Sequence, residues 1–182
     1  MVGLSSLHYF WTARTPEATA ADIEHILRHY LAAWHKDKVI LCGYSFGADI
    51  LPFVVTRLPD DLRQRLGLVV FLGLGSEAAF EFHLASWLGR SDPGAYPVAP
   101  ELARLRGLPM LCFYGTEDAD ALCRSADPTL VEAHSVPGGH RIGHEYGPVA
   151  DAILRALSPQ GPGGVTAQNP KMSDTPTSVM RP

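Results

Sequence analysis

Hydrophobic positions along the chain follow a helical period in some segments and form continuous apolar runs in others. A helix start is predicted at Thr15, because Pro16 and Glu17 complete the combination of N-cap, proline and first-turn acid. The apolar residues that follow recur at helical spacing on one side; they are Ile23, Ile26, Leu27, Tyr30, Leu31 and Trp34. A closing helix is predicted over 145–157, and its apolar face consists of Val149, Ile153, Leu154 and Leu157.

Apolar, β-branched runs between these segments predict strands. The run KVILC over 38–42 is continuously apolar, so we expect a strand buried on both faces. Further buried strands are predicted over 66–74 and 108–115, and a fourth, shorter strand over 129–139. The segment 2–7 is predicted to be a short strand or the end of one. Strands that alternate with helices favour an α/β fold with a mainly parallel sheet.

Three parts of the chain depart from a simple alternation of strands and helices: the helix that contains Pro52, the segment 75–107 and the residues from 158 onward. The helix predicted after Gly47 should kink or end early at Pro52. The segment 75–107 is longer than a helical connection requires. From residue 158 onward the chain is rich in Pro, Gly, Ser and Thr without periodicity, which predicts a disordered tail. We therefore expect one domain over 1–157 and a tail over 158–182.

Composition and charge limit the classes of function. The 182 residues are 46% hydrophobic, which suits one globular domain, and the net charge of −4 gives no footprint for nucleic acid. No apolar stretch is long enough to span a bilayer, and the first ten residues lack the features of a signal peptide. On this ground the chain would be cytoplasmic if Met1 is the native start.

Three cysteines show no metal-ligand spacing. Cys42, Cys112 and Cys123 are either ordinary buried thiols, or Cys112 and Cys123 form a disulfide in an oxidising compartment. Neither interpretation implies a metal, and no motif in the chain implies an organic cofactor.

The motif GYSFG over 43–47 lies between the predicted strand 38–42 and a predicted helix. A serine at such a strand-to-helix turn has a strained backbone, and small residues two positions to either side let the strand and helix pass closely. Ser45 is therefore the candidate nucleophile. The backbone N–H of Phe46 is the candidate donor to an oxyanion.

A serine nucleophile needs a base and an acid to orient that base. His140 lies in a glycine loop between the last strand and the last helix, and His144 is the weaker candidate. The acid cluster after the third long strand contains Glu117, Asp118 and Asp120; its Gly-x-x-Asp turn favours Asp118, with Asp120 as the alternative. The order serine, aspartate, histidine is that of α/β-hydrolases, and differs from that of chymotrypsin or subtilisin.

Four stretches resemble the bacterial virulence protein VirJ/AcvB family of the α/β-hydrolase superfamily. They are LHYFWTARTPEATAADI, GYSFGADILPFVVTRLP, CFYGTEDADALC and PGGHRIGHEYGPVADAIL. The resemblance implies a three-layer α/β sandwich and a periplasmic serine hydrolase. It also implies action on aminoacylated phosphatidylglycerol, chiefly the lysyl ester, at the inner membrane surface, with links to type IV secretion and virulence. Carried over to this chain, Ser45 is the nucleophile, His140 the base, and Asp118 or Asp120 the acid.

A lysyl ester carries positive charge, and three acids lie near the expected pocket. Asp49, Glu117 and Asp120 are the candidates for binding that charge. Asp49 follows Ser45 by one helical turn, so a structural hydrogen bond is the alternative role for its carboxylate.

Comparison with the pattern of that family predicts that this chain lacks the first strands and the oxyanion loop of a full hydrolase. A hydrolase of this kind has further strands before residue 2 and a glycine-rich loop that donates the second oxyanion N–H. Without the N-terminal strands we expect apolar residues such as Leu4 and Leu7 to be exposed. We expect the chain alone to be weakly active or inactive, since one oxyanion donor contributes about 10²–10³ in turnover.

Two other functions fit the same residues. A non-catalytic module could keep the hydrolase scaffold and bind secretion components or lipid headgroups. A thioesterase or peptidase could use the same scaffold, because much of the pocket is expected in the 75–107 segment.

Overall fold

The computed structural model of the protein describes residues 1–82, 94–142 and 146–158. The helices in these residues are α1 (Ser6–Tyr9), α2 (Pro16–Ala33), α3 (Phe46–Arg57), α4 (Asp60–Arg63), α5 (Val98–Ala103) and α6 (Tyr146–Leu157). The strands are β1 (Val39–Tyr44), β2 (Leu66–Leu72), β3 (Glu77–Ala78), β4 (Tyr96–Pro97), β5 (Met110–Gly115) and β6 (Glu132–Val136).

Four of the strands form one parallel sheet in the order β1-β2-β5-β6. Consecutive strands of this sheet are neighbours, so the chain crosses the sheet in one direction. All four strands end at the same edge, and the turns that follow them therefore lie close together. The short strands β3 and β4 pair antiparallel in a separate ribbon. The predicted α/β fold with a mainly parallel sheet is confirmed.

Helices cover both faces of the sheet. One core contains residues of α2, α3 and α5 together with one face of β2, including Val69 and Phe71. The other core lies beneath α6, where Val149 packs with the opposite face of β2, including Leu68 and Val70. The result is the three-layer arrangement expected from the sequence.

The prediction that the 38–42 strand is buried on both faces is wrong. Burial alternates along β1, and Ile40 and Tyr44 are 39% and 43% exposed. Within the described residues β1 pairs only with β2, and α6 packs over β2 rather than over β1. A continuously apolar sequence thus forms an edge strand, whereas β2 is buried as predicted.

The first long helix begins as its sequence predicts. The Thr15 side-chain oxygen accepts a hydrogen bond from the Ala18 N–H at 3.1 Å, and Pro16 is the first helical residue. Leu27 and Leu31 are buried, but Trp34 lies at the helix end and is exposed. The predicted face of α6 is likewise only partly correct, because Leu154 is 64% exposed.

Two local predictions about helix and strand are corrected. Of the two outcomes expected at Pro52, the early end is wrong, because α3 continues to Arg57; its buried residues from Ile50 to Val55 stabilise it despite the backbone bond that proline cannot make. The segment 2–7 contains no strand, and α1 begins there at Ser6; within the described residues no neighbouring strand is available for pairing. Leu4 and Leu7 are both exposed.

The tail predicted over 158–182 lies outside the described residues except for Ser158. The Ser158 N–H donates to the carbonyls of Leu154 and Arg155 at the end of α6. No helix in the described part of the chain has the length and apolar character to cross a membrane.

Candidate active site

Ser45 occupies the turn between β1 and α3 with an uncommon backbone conformation. Its φ of 52° and ψ of −121° lie outside the regions that residues with a Cβ ordinarily adopt. The turn is held in place because the Ser45 N–H donates to the Leu72 carbonyl at 2.8 Å, while the Ser45 carbonyl accepts from Ala48 N–H and Asp49 N–H. The GYSFG motif predicts such a strained turn between a strand and a helix.

The two glycines of the motif have different roles. A Cβ added to Gly43 would lie 2.5 Å from the Gly47 carbonyl oxygen and 2.7 Å from the Ala48 Cα, so β1 and α3 can cross only if residue 43 has no side chain. A Cβ added to Gly47 would meet only the Ser6 hydroxyl, at 4.0 Å. The close approach of strand and helix therefore requires Gly43 and leaves room at Gly47.

His140 reaches Ser45 from the loop between β6 and α6. Gly138 in this loop has a φ of 102°, and a Cβ on Gly115 at the end of β5 would overlap the carbonyl oxygens of Gly138 and Gly139. Close backbone packing at these glycines holds the loop over the sheet edge. The buried side chain of Ile142 anchors its far end.

The structure brings Ser45, His140 and Asp118 into one hydrogen-bonded series. Ser45 Oγ lies 2.8 Å from His140 Nε2, and His140 Nδ1 lies 2.9 Å from Asp118 Oδ2. An ionised carboxylate only accepts, so Nδ1 carries the proton that it donates to Asp118 and Nε2 is left to accept from the serine hydroxyl. The imidazole is about half exposed (49%), whereas the Asp118 side chain is 11% exposed.

Asp118 is placed by the turn that follows β5. Its own N–H donates to the Gly115 carbonyl at 3.0 Å, and the neighbouring Glu117 N–H donates to the Gly138 carbonyl at 2.9 Å. The acid loop is thereby joined to the histidine loop. Of the two candidate acids in this loop, Asp118 rather than Asp120 is hydrogen-bonded to His140 in the described structure, and Glu117 and Asp120 are both exposed.

The Phe46 N–H belongs to the first turn of α3. Because the first N–H groups of a helix have no partner within it, this donor is available beside the Ser45 hydroxyl, at the positive end of the helix dipole. The Phe46 ring packs against Phe10, with 5.1 Å between ring centroids, which fixes the N-terminal segment to this side of the site.

Asp49 lies inside the site, and its carboxylate contacts the backbone. Its Oδ1 accepts from the Gly75 N–H at 2.7 Å. Burial raises the Asp49 pKa to about 7; the Gly75 hydrogen bond and the nearby His140 act in the opposite direction, and the charge of Asp118 adds a smaller increase. The hydrogen bond is the structural role that the sequence left open for this residue.

Sequence reasoning did not identify the turn after β2 as part of the site. Gly73 has a φ of 67°, and a Cβ there would lie 3.1 Å from His140 Cε1, so the backbone of this turn lies directly against the imidazole. The available signal was the sequence LGLGS, which places two glycines at the carboxyl end of a buried strand. The alternative base, His144, lies outside the described residues.

The described residues contain no group of three or more His, Cys, Asp or Glu side chains arranged to hold a metal ion. What the arrangement offers is a serine hydroxyl, an imidazole acceptor, an oriented carboxylate and a helix-terminal N–H at one sheet edge.

Comparison with known proteins gives one family and a set of structural relatives. A family model described as bacterial virulence protein (VirJ) matches residues 1–160. No curated protein matches the chain significantly.

The structural relatives share the α/β-hydrolase fold at low sequence identity. The crystal structure of VinJ matches with a TM-score of 0.53 at 12% identity, over 81% of this chain and 73% of VinJ. An α/β hydrolase from Novosphingobium aromaticivorans matches with a TM-score of 0.48 at 16% identity, over 85% of this chain and 74% of that one. A predicted CIB-like hydrolase from Thermoplasma acidophilum matches with a TM-score of 0.43 at 13% identity, over 75% of this chain. The present chain therefore spans just over half, 57%, of the length of that hydrolase.

The close crossing at Gly43 gives a prediction about stability. We expect Gly43→Ala to lower the free energy of unfolding by about 1–3 kcal/mol, because the added methyl group overlaps the backbone of α3. Gly47→Ala is the matched control, and it should be neutral or stabilising by up to about 1 kcal/mol, since alanine favours a helix and space is open there. Urea denaturation of the two variants tests this, and equal effects at both positions would contradict it.

The raised pKa of Asp49 predicts a pH-dependent stability. In the unfolded chain the pKa of this carboxyl has its ordinary value near 3.8, whereas the folded protein retains the proton to about pH 7. The stability that the protonated carboxyl contributes is therefore present below pH 4 and is lost as pH rises towards 7, by at most about 1.4 kcal/mol per pH unit.

Asp49→Asn removes this titration while its amide oxygen can still accept from Gly75. We expect the variant to gain stability relative to the wild type as pH rises from 4 to 7.5, measured by denaturant unfolding at a series of pH values. Asp151→Asn, at an exposed position of α6, is the control and should show a constant difference. If the free energies of unfolding of Asp49→Asn and the wild type differ by the same amount at every pH, the raised pKa of Asp49 is excluded.

Proposed function

Since the chain belongs to the VirJ family of bacterial virulence proteins, and has the α/β-hydrolase fold, we propose that it is a serine hydrolase acting on carboxylic esters. The observation that carries this proposal is the series Ser45 Oγ, His140 Nε2, His140 Nδ1 and Asp118 Oδ2, with separations of 2.8 Å and 2.9 Å. In this proposal Ser45 is the nucleophile, His140 the general base and Asp118 the acid that orients the base.

The reaction proceeds by acyl transfer. Ser45 Oγ attacks the ester carbonyl while its proton passes to His140 Nε2, and the Phe46 N–H donates to the oxygen that becomes negative. His140 then protonates the leaving alcohol as the tetrahedral intermediate collapses to an acyl-enzyme. Water, activated by the same histidine, attacks the acyl-enzyme and restores Ser45. Asp118 holds the histidine tautomer in which Nε2 is free to accept a proton.

The substrate proposed from the family is aminoacylated phosphatidylglycerol, with the lysyl ester foremost. Exposed acids beside the series support a cationic acyl group: Glu117 flanks Asp118, and Asp120 is two residues further along the same loop. Asp49 is the less favoured cation ligand, because its carboxylate is hydrogen-bonded to Gly75 and its pKa is raised. We assign substrate charge recognition to Glu117 and Asp120.

A periplasmic site of action and a role in type IV secretion belong to the same proposal. The Cys112–Cys123 disulfide supports an oxidising compartment, because disulfides rarely persist in the bacterial cytosol.

One observation favours a second function, a hydrolase-fold module that binds secretion components or lipid headgroups without catalysis. The outer edge of β1 has no partner strand in the described part of the chain, and Ile40 and Tyr44 are exposed on the face beside it. An open strand edge with apolar side chains is typical of a binding surface.

A fluorophosphonate probe separates these two functions. Such probes label an activated serine, so we expect labelling of the wild type, its loss in Ser45→Ala, and a labelling rate lower by roughly 10³–10⁴ in Asp118→Asn. Ser6→Ala, at a neighbouring serine outside the series, is the control and should label normally. Failure of the folded wild-type protein to label at Ser45 would exclude catalysis and leave the binding module.

The substrate class has its own test. With vesicles that contain lysyl-phosphatidylglycerol, we expect slow, Ser45-dependent release of lysine, because the proposal supplies one oxyanion donor, the Phe46 N–H. Glu117→Gln combined with Asp120→Asn should raise KM for the lysyl lipid several-fold, by removing surface ion pairs of about 0.2–1 kcal/mol each, while hydrolysis of p-nitrophenyl acetate stays unchanged. A variant that loses both activities in proportion would show that these acids do not recognise the charge of the substrate.

A further inference from the structure

The loop that carries Asp118 is closed by a disulfide. Cys112 lies on β5 and Cys123 in the short 3-10 turn at Leu122–Arg124, and the two are bonded across a sequence separation of 11 residues. Asp118 lies between them. Both cysteines are buried, with 0% and 2% exposure, so the covalent link belongs to the core beneath the loop.

The two halves of this loop are held in different ways. The first half is fixed by backbone bonds to the histidine side of the site, since Thr116 N–H donates to the Val136 carbonyl and Glu117 N–H to the Gly138 carbonyl. The second half returns to the fold through the Leu122 N–H, which donates to the Leu74 carbonyl at 2.8 Å, and through Cys123.

One side-chain contact also spans the loop, since Arg124 Nη1, next to Cys123, donates to the Thr116 carbonyl at 2.9 Å. Thr116, Glu117, Ala119 and Asp120 are all exposed, so the loop buries few side chains of its own. Segments with little buried apolar surface open at low free-energy cost unless their ends are fixed. The conformation of Asp118 therefore depends on how firmly the two ends are held.

The anchor on β5 is in the middle of the sheet. Cys112 is in register with Phe71 of β2 on one side and Ala133 of β6 on the other. The disulfide thus connects the far end of the acid loop directly to a central strand whose residues from Met110 to Phe113 are buried.

We propose that the Cys112–Cys123 disulfide positions Asp118 against His140, which makes the two cysteines positioning residues for the reaction. This inference rests on the proposed function. The hydrogen bond from Nδ1 to Asp118 spans 2.9 Å, and a displacement of about 1 Å at such a contact lowers turnover by up to about 10²-fold. Binding of an uncharged ester such as p-nitrophenyl acetate should be largely untouched, because neither sulfur reaches the surface and such an ester does not use the charges of Glu117 and Asp120 on the same loop.

The first test compares two cysteine variants. Cys123→Ala opens the bridge and leaves Cys112 in the core, whereas Cys42→Ala removes the free cysteine on β1 and no bridge. Below the melting temperature of every variant, and with p-nitrophenyl acetate as substrate, we expect Cys123→Ala to lower kcat by roughly 10- to 100-fold with little change in KM. Cys42→Ala should retain wild-type kcat. An unchanged kcat in Cys123→Ala would overturn the proposal.

A double-mutant cycle separates positioning from general stabilisation. If the bridge acts through Asp118, Cys123→Ala should cause no further loss of kcat in an Asp118→Ala background. A bridge that only stabilises the fold would lower kcat by the same factor in both backgrounds, and that result would overturn the proposal.

A measurement without turnover makes the inference independent of the proposed function. Amide hydrogen exchange at Thr116, Glu117 and Asp118 should be faster in Cys123→Ala than in wild type, while the amides of β2 remain protected. Unchanged exchange in the loop would overturn the positioning role. Absence of Ser45-dependent turnover in the wild type would instead contradict the proposed function, and the exchange data would still decide whether the bridge fixes the loop.

Discussion

The hydrogen-bond register of the parallel sheet continues past the ends of its strands, and the candidate site depends on this continuation. Ser45, the first residue after β1, donates its N–H to Leu72 at the end of β2. Gly73, the first residue after β2, donates to Phe113 of β5, and Thr116, the first residue after β5, donates to Val136 of β6. The turns carrying the serine and the acid therefore begin as extensions of the sheet, and its register sets where each turn starts.

This register also explains where side chains are not tolerated. Where the chain leaves β1 it must turn back closely over the strand, and Gly43 lets α3 start there. Where the chain leaves β5, the glycine loop before His140 crosses directly above Gly115. At both glycines one stretch of backbone packs directly against another, and each contact brings one candidate site residue, Ser45 or His140, to the same sheet edge.

The sequence was sufficient for the parts of the fold that are set locally. The start of α2 follows from Thr15 and Pro16, and β2 from a run of apolar residues too long for an exposed strand. The serine, acid and histidine could be proposed because the ends of parallel strands share one edge, and the structure brings together Ser45, Asp118 and His140. These predictions needed only local patterns and the topology that such patterns imply.

Features that depend on neighbouring elements could not be predicted in the same way. The apolar sequence of β1 resembles that of β2, yet β1 lies at the sheet edge, because burial depends on which strands and helices lie beside it. Pro52 suggested a kink or an early helix end, and α3 does not end there because its packing against the sheet outweighs the lost hydrogen bond. Pairing of Cys112 with Cys123 was one of two alternatives, because the spacing of cysteines does not fix the direction of their side chains.

Asp49 adds a connection that is independent of the sheet register. A carboxylate one helical turn after Ser45 could reach either a ligand or the protein, and sequence spacing does not distinguish these roles. In the fold its Oδ1 accepts from Gly75, which ties the first turn of α3 to the turn after β2. Gly73, two residues earlier in that turn, lies against the His140 ring. The serine and the histidine are thus linked a second time, through the backbone of a turn that contributes no catalytic side chain, and a partly neutral Asp49 can make that link without placing a full charge beside Asp118.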